Sequence, residues 1–300
     1  MNKYLPHLAI IIAALLWSLD ALLRQSLYSL SPLLVIALEH GIGSLLFTPV
    51  IIKHWVKLKA LKQTAWISLL WISILGGICG TYFYTKALSY IGYIDLSVVV
   101  LLQKFQPLFA VSLAAIILKE KLSNRYLVLA LFAMIGGYLV TFGNEPISKG
   151  DNNTLIAALF SLLAAFCWGS STVLGKQALM FLPYSFVTAL RLIITTIVSM
   201  LIIIYSDFNI IYSHISYKQW KILLLIVIST GTVALFIYYY GLKKLPASHT
   251  TLFELFWPLS AVIIDWIIIG NPLSIPQLSG AVILLASMTI LTQESSNERP

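Results

Sequence analysis

Two stretches of this sequence are copies of one another: LSVVVLLQKFQPLFAVSLAAIILKEKLS at 96–123 and ASHTTLFELFWPLSAVIIDWIIIGNPLS at 247–274. Each holds a proline and polar side chains inside an apolar run of membrane-crossing length. A shift of 151 positions puts Pro107 on Pro258, Phe105 on Phe256, Leu122 on Leu273 and Ser123 on Ser274. The same shift takes Trp17 to Trp168, Pro32 to Pro183 and Leu127 to Leu278, so the duplication covers nearly the whole chain. A repeat of that period restricts the fold to two similar units, each read on the pattern of the other.

Only 10% of the residues are charged and 59% are hydrophobic. A soluble domain carries roughly 25% charged residues, so this chain is expected to be an all-α polytopic membrane protein. The net charge of +8 does not point to nucleic acid, because the cations lie in short loops between apolar runs and form no basic face with exposed aromatics. Ten apolar segments of helical membrane length are expected, at about 5–27, 32–52, 65–87, 95–118, 125–142, 154–179, 184–205, 218–242, 247–269 and 275–291. The N-terminal segment is read as a retained helix and not a signal peptide, since its apolar part is long and has a full-length copy beginning near Leu155. One stretch, GNEPISKGDNN, reads as a linker. The expected organisation is therefore a first five-helix repeat over 1–143, a linker over 144–153, a second repeat over 154–292 and a cytoplasmic tail over 293–300.

With the N-terminus in the cytoplasm, the inside loops receive Lys3, Lys53, Lys57, Lys59, Lys62, Lys119, Lys121, Arg125, Lys176, Lys243, Lys244 and Arg299. The outside receives only Arg24, Lys86, Lys149, Lys218 and Lys221, a positive-inside bias that puts both termini in the cytoplasm. Five spans per half is an odd number, so the second copy runs through the membrane in the opposite sense. Such inverted repeats build a site near the midplane and alternate its access.

Ionisable groups in a span are costly, so those present are expected to pair or to face a cavity. The repeat places His40 on Arg191 and Gln103 on Glu254. One half thus offers Glu39, His40, Gln103 and Lys104 to a substrate, and the other offers Arg191 and Glu254. The alternative is two structural ion pairs, Glu39 with Lys104 and Arg191 with Glu254. Asp20 and Arg24, one helical turn apart, read as a local pair at the outer boundary. Pro107 and Pro258 are expected to kink the fourth and ninth spans around a shared cavity. Phe105, Phe256 and Trp257 beside them are candidate cavity walls. Tyr84 falls on Tyr238 if three residues are inserted between the copies, and interface anchoring is the competing reading of both. Gly76 and Gly80, in a small-xxx-small spacing, predict close helix packing.

These features resemble the drug/metabolite transporter superfamily, in its EamA-like ten-span branch. The resemblance rests on Trp17-Ser18 and Trp168-Gly169 on the first span of each half, Arg191 on the seventh, and Pro107 and Pro258 in mid-span. It also rests on Lys119-Glu120-Lys121-Leu122-Ser123 after the fourth span. The sequence departs from the pattern with Glu39-His40 where an arginine is expected, with Lys104, and with Asn271 in place of the acidic residue. The resemblance implies a secondary transporter in the cytoplasmic (inner) membrane of a bacterium. Such carriers often export amino acids or related metabolites, driven by a proton gradient or by substrate gradients alone. Trp17 and Trp168 join the expected substrate site on this ground. An integral-membrane enzyme would need a nucleophile–base or metal constellation, and there is no HExxH or GxSxG and only scattered histidines. No catalytic residue, metal or other cofactor is expected. Lipid translocation stays open within the transporter class. The expected partners are membrane lipid and a small polar or amphipathic substrate, with Glu254 as the residue that couples it to protons.

Overall fold

The computed structural model describes residues 4–27, 29–59, 61–88, 103, 105–142, 152–268 and 273–297. Lys104, the 144–151 part of the expected linker and Asn271 lie outside the described residues. Every described element is helical. The principal helices are α1 (Leu5–Arg24), α2 (Pro32–Leu46), α3 (Thr48–His54), α4 (Gln63–Ala87), α5 (Gln106–Ile117), α6 (Asn124–Phe142) and α7 (Asn152–Phe181). There follow α8 (Tyr184–Ser206), α9 (Tyr217–Ile228), α10 (Thr232–Lys244), α11 (Ala247–Phe253), α12 (Phe256–Ile268) and α13 (Ile275–Asn297).

Among the described residues, four helical stretches are long and apolar enough to cross a bilayer: Gln63–Ala87, Ile156–Phe181, Tyr184–Ser206 and Tyr217–Lys244. The pair α2 and α3 makes a fifth if counted as one span bent by 60°. Pro49 explains that bend: it stands in the first turn of α3 and cannot donate to the carbonyl four residues back. Leu5–Asp20, Gln106–Ile117, Asn124–Val140 and Ile275–Leu291 are shorter apolar helices.

The prolines of the repeated stretch act more sharply than a kink. Pro258 lies in the first turn of α12, after a break at Glu254 and Leu255, and Pro107 lies in the first turn of α5. A proline in a first turn withholds an N–H that has no helical partner anyway, whereas in mid-helix it would clash with the carbonyl four residues before it. For Pro258 that carbonyl belongs to Glu254, and it accepts from the Trp257 N–H instead. The chain divides there into two helices with Glu254 at the joint.

Packing between the halves follows an exchange rule. α1 packs against α10 and α12, and its repeat counterpart α7 packs against α4 and α5. Counterparts also meet each other, α2 with α8 and α6 with α13. The α6–α13 contact depends on glycine: a Cβ on Gly136 would come within 2.8 Å of the Gly280 carbonyl oxygen. Ser123 and Ser274, equivalent in the repeat, do the same work, each accepting the N–H three residues on at the start of α6 and α13.

In α4, residues Ile72–Cys79 form a wide π-helical segment. The Thr195 hydroxyl of α8 donates to the Ser73 carbonyl there at 3.1 Å, occupying an acceptor that a regular helix would use itself. Gly76 within this segment and Gly80 just after it permit the close approach expected of them. A Cβ on Gly76 would lie 2.1 Å from Ser171 Oγ, and one on Gly80 would lie 2.5 Å from Trp168 Nε1.

Candidate functional site

The break before Pro258 presents Glu254 to three donors from other helices. The Tyr238 hydroxyl (α10) donates to Oε1 at 2.7 Å and the Gln106 amide (α5) to Oε2 at 2.6 Å. Thr172 (α7) brings its hydroxyl to 3.3 Å of Oε1 and 2.9 Å of the Tyr238 oxygen. All three donors are neutral, and no salt bridge reaches Glu254 among the described residues. A half-buried carboxylate held this way keeps an uncompensated charge that a cation, a hydrogen-bond donor or a proton can neutralise.

Arg191 projects from α8 to the neighbouring tyrosine. Its Nη1 donates to the Tyr239 hydroxyl at 2.8 Å, and its guanidinium carbon lies 5.8 Å from the centre of that ring. Its Nε is buried without a hydrogen-bond partner, as is the Oγ of Ser171. Both residues converge on Gly76, where a Cβ would meet Ser171 Oγ at 2.1 Å and Arg191 Nη2 at 3.3 Å. The expected alternative of an Arg191–Glu254 ion pair is therefore not what forms. The adjacent tyrosines Tyr238 and Tyr239 take one group each, so donor and acceptor stay separate and available.

Two aromatic pairs flank these groups, and the repeat relates them. Trp17 of α1 lies against Tyr238 with ring centres 5.2 Å apart, and Trp168 of α7 lies against Tyr84 of α4 at 5.7 Å. The tilts are also alike, 52° and 60°. Tyr238 is buried and Tyr84 half-buried, each packed against a tryptophan.

Other expected site residues fall elsewhere. Glu39 is buried, but it joins Arg24, whose Nη2 donates to Glu39 Oε2 at 2.8 Å. Arg24 also bonds Asp20 as expected, and Thr230 of the second half donates to Asp20 at 2.6 Å. Glu39 thus belongs to a charge cluster with Arg24 and Asp20 at the C-terminal end of α1. His40 is half-buried with Nδ1 3.0 Å from the Ile36 carbonyl. Gln103 is buried with its Nε2 lacking a partner. Phe105, the residue before α5, is exposed at 38%. Trp257 is half-buried beside the break.

Gln106, Thr172, Ser171 and Tyr239 were not singled out by the sequence as site residues. Gln106 carried a signal, an amide next to the mid-span proline. Thr172 lies four residues after Trp168, on the same helix face. A separate groove of about 320 Å³ between α1 and α10 is lined by Leu5, Leu8, Ile12, Tyr184 and Phe236. It suits hydrocarbon and lies apart from the polar groups.

The model of the EamA-like transporter family matches this chain twice, over residues 5–142 and 155–293. The chain belongs to the EamA-like transporter family. It is an integral multi-pass membrane transporter built of two EamA repeats, as the duplicated stretch led us to expect, and not an enzyme. A riboflavin transporter, ImpX, of Fusobacterium nucleatum is 35% identical over 290 residues, covering 96% of this chain and 97% of that protein. An uncharacterized transporter of Bacillus subtilis, YoaV, is 24% identical and covers 95% and 96%. One solved structure superimposes with a TM-score of 0.77 at 18% identity over 98% of both chains, a likeness of fold.

Proposed function

We propose that this EamA transporter is a secondary carrier for a small amphipathic metabolite with a flat aromatic ring, riboflavin being the compound to test. The observation that carries this reading is the pair of repeat-related tryptophan–tyrosine contacts, Trp17 with Tyr238 and Trp168 with Tyr84, around Glu254 and Arg191. A planar heterocycle bears carbonyl acceptors that Arg191 would serve and N–H or hydroxyl donors that Glu254 would accept, while aromatic side chains cover its faces. The full-length likeness to a riboflavin transporter supports the same substrate class. An amino acid is the second reading, favoured by one cation and one anion that do not neutralise each other. Its carboxylate would take Arg191 and its ammonium Glu254.

In this proposal ten spans form two inverted five-helix repeats, with both termini in the cytoplasm of a bacterial inner membrane, and the halves rock to alternate access. The exchange rule in the packing of α1 and α7 supports a two-fold relation between the halves. Glu254 is the proton-linked group, since proton and substrate would compete for one carboxylate. The test uses purified full chain in proteoliposomes. Labelled riboflavin should show saturable counterflow, and an imposed pH gradient should drive accumulation. Glu254→Gln should keep counterflow and lose accumulation. Counterflow with amino acids and not riboflavin would select the second reading, and counterflow with neither would reject both.

A further inference from the structure

The Glu120 of the loop after α5 contacts neither Glu254 nor Arg191, yet it is bound to the far end of the helix that carries Glu254. α11 is seven residues long, about 10 Å at 1.5 Å per residue, and runs from Ala247 to the joint at Glu254. At its N-terminal end, Glu120 Oε1 accepts from the Ala247 N–H at 2.7 Å, and Oε2 accepts from the Ser248 N–H at 3.1 Å and the Ser248 hydroxyl at 2.5 Å. These donors have no acceptor within their own helix, so a carboxylate from the other repeat satisfies what α11 cannot.

Neighbouring residues reinforce the contact. The Tyr126 hydroxyl donates to the Ser248 carbonyl at 2.8 Å, and the Tyr126 ring stacks on His249 at 5.1 Å with 9° between planes. Lys119 has φ of 55°, a left-handed conformation uncommon outside glycine, and the Glu120 N–H turns back to the Ala114 carbonyl at 3.2 Å. That turn ends α5 and aims Glu120 at α11. One short rigid helix is thus pinned by the first repeat at one end and presents the site carboxylate at the other, with a proline break immediately beyond.

We propose that Glu120 is a positioning residue for transport: by holding the N-terminal end of α11 against the first repeat, it sets the height and orientation of Glu254 among Tyr238, Gln106 and Thr172. The inference rests on Glu254 belonging to the substrate site. Gln106 and Glu120 flank the same helix, α5, so the first repeat holds α11 at both ends. When Glu120 lets go, Glu254 loses its register with Gln106 even though both residues remain.

The experiment compares full-length wild type with Glu120→Gln, Glu120→Asp and Ser248→Ala in proteoliposomes, reading riboflavin counterflow and infrared carboxyl absorption. The band of Glu254 is the one absent from Glu254→Gln. Glu120→Gln is expected to raise KM about tenfold, to leave Vmax within about twofold and to shift the Glu254 band. Glu120→Asp should restore part of both. A lower yield with unchanged KM and an unmoved band would overturn the proposal. If wild type does not carry riboflavin, the substrate reading fails while the infrared band still decides the role of Glu120. If Glu120→Gln does not insert, Ser248→Ala decides: it removes one of the three bonds, and an unmoved band there overturns the proposal.

Discussion

Arg24, at the C-terminal end of α1, joins Asp20 of its own helix to Glu39 of α2, and removing it tests whether that cluster holds the fold. Glu39 has 8% of its side chain exposed, Asp20 22% and Arg24 25%. Breaking a fully buried ion pair by deleting one partner costs roughly 3–5 kcal/mol, because the other charge is stranded, while an exposed pair is worth about 0–1 kcal/mol. The Arg24 cluster lies between these limits, nearer the first on the Glu39 side. Arg24→Met should therefore destabilise the protein by about 2–3 kcal/mol. Combining Arg24→Met with Glu39→Gln and Asp20→Asn removes the stranded charges and should recover at least about half of that loss. The assay is reversible unfolding by SDS in mixed micelles, read by circular dichroism. A loss under about 0.5 kcal/mol in the single variant, or strict additivity in the combination, would refute the reasoning.

Arg191→Ala should lower transport about a hundredfold while the protein still inserts, since a lost charged donor is worth about 1.5–3 kcal/mol per bond; Arg191→Lys should recover little because one ammonium cannot reproduce the fork. Assay of counterflow beside a membrane-insertion control separates the two effects. Gly136→Leu should destabilise the α6–α13 contact by about 1–3 kcal/mol in the same SDS unfolding, because its Cβ would meet backbone atoms of Gly280 and Leu284 at 2.8 Å. Accessibility tags at Lys59 and Lys121 should report cytoplasm, and tags at Asn152 and Ser213 the outside. A single reproducible reversal overturns the inverted topology.

What the sequence discloses here is whatever the duplication marks. Trp17 and Trp168, Ser123 and Ser274, and Pro107 and Pro258 are each visible as pairs, and the structure gives the members of each pair equivalent work. Partners were less legible. Arg24 satisfies Glu39 from 15 residues away across a helix junction. Glu254 takes its donors from α5, α7 and α10, and nothing in a linear pattern assigns Gln106 or Thr172 to it. The effect of Pro258 was visible only as a distortion. Whether a proline bends one helix or starts a second depends on where the carbonyl four residues back finds a donor, and here the Trp257 N–H supplies it.

The frame of the site is symmetric and its chemistry is not. The tryptophan–tyrosine pairs repeat, but Arg191 corresponds to His40, and Glu254 to Gln103. His40 turns to its own helix carbonyl, and its neighbour Glu39 is committed to Arg24. Both strong polar groups at the candidate site therefore come from the second repeat, while the first contributes Gln106 and one residue of each aromatic pair, Trp17 and Tyr84. In the proposed carrier, a flat substrate between two equivalent walls would be oriented by one half alone. Rocking would then move the first repeat past a substrate held by the second. The first repeat also reaches α11 and its joint, through Glu120 at one end and Gln106 at the other. Variants of Arg191 should thus act on affinity for substrate on both sides of the membrane. Variants of Gln106 should act on one side more than the other, and equal effects of Gln106→Ala on inside and outside KM would count against that division of labour.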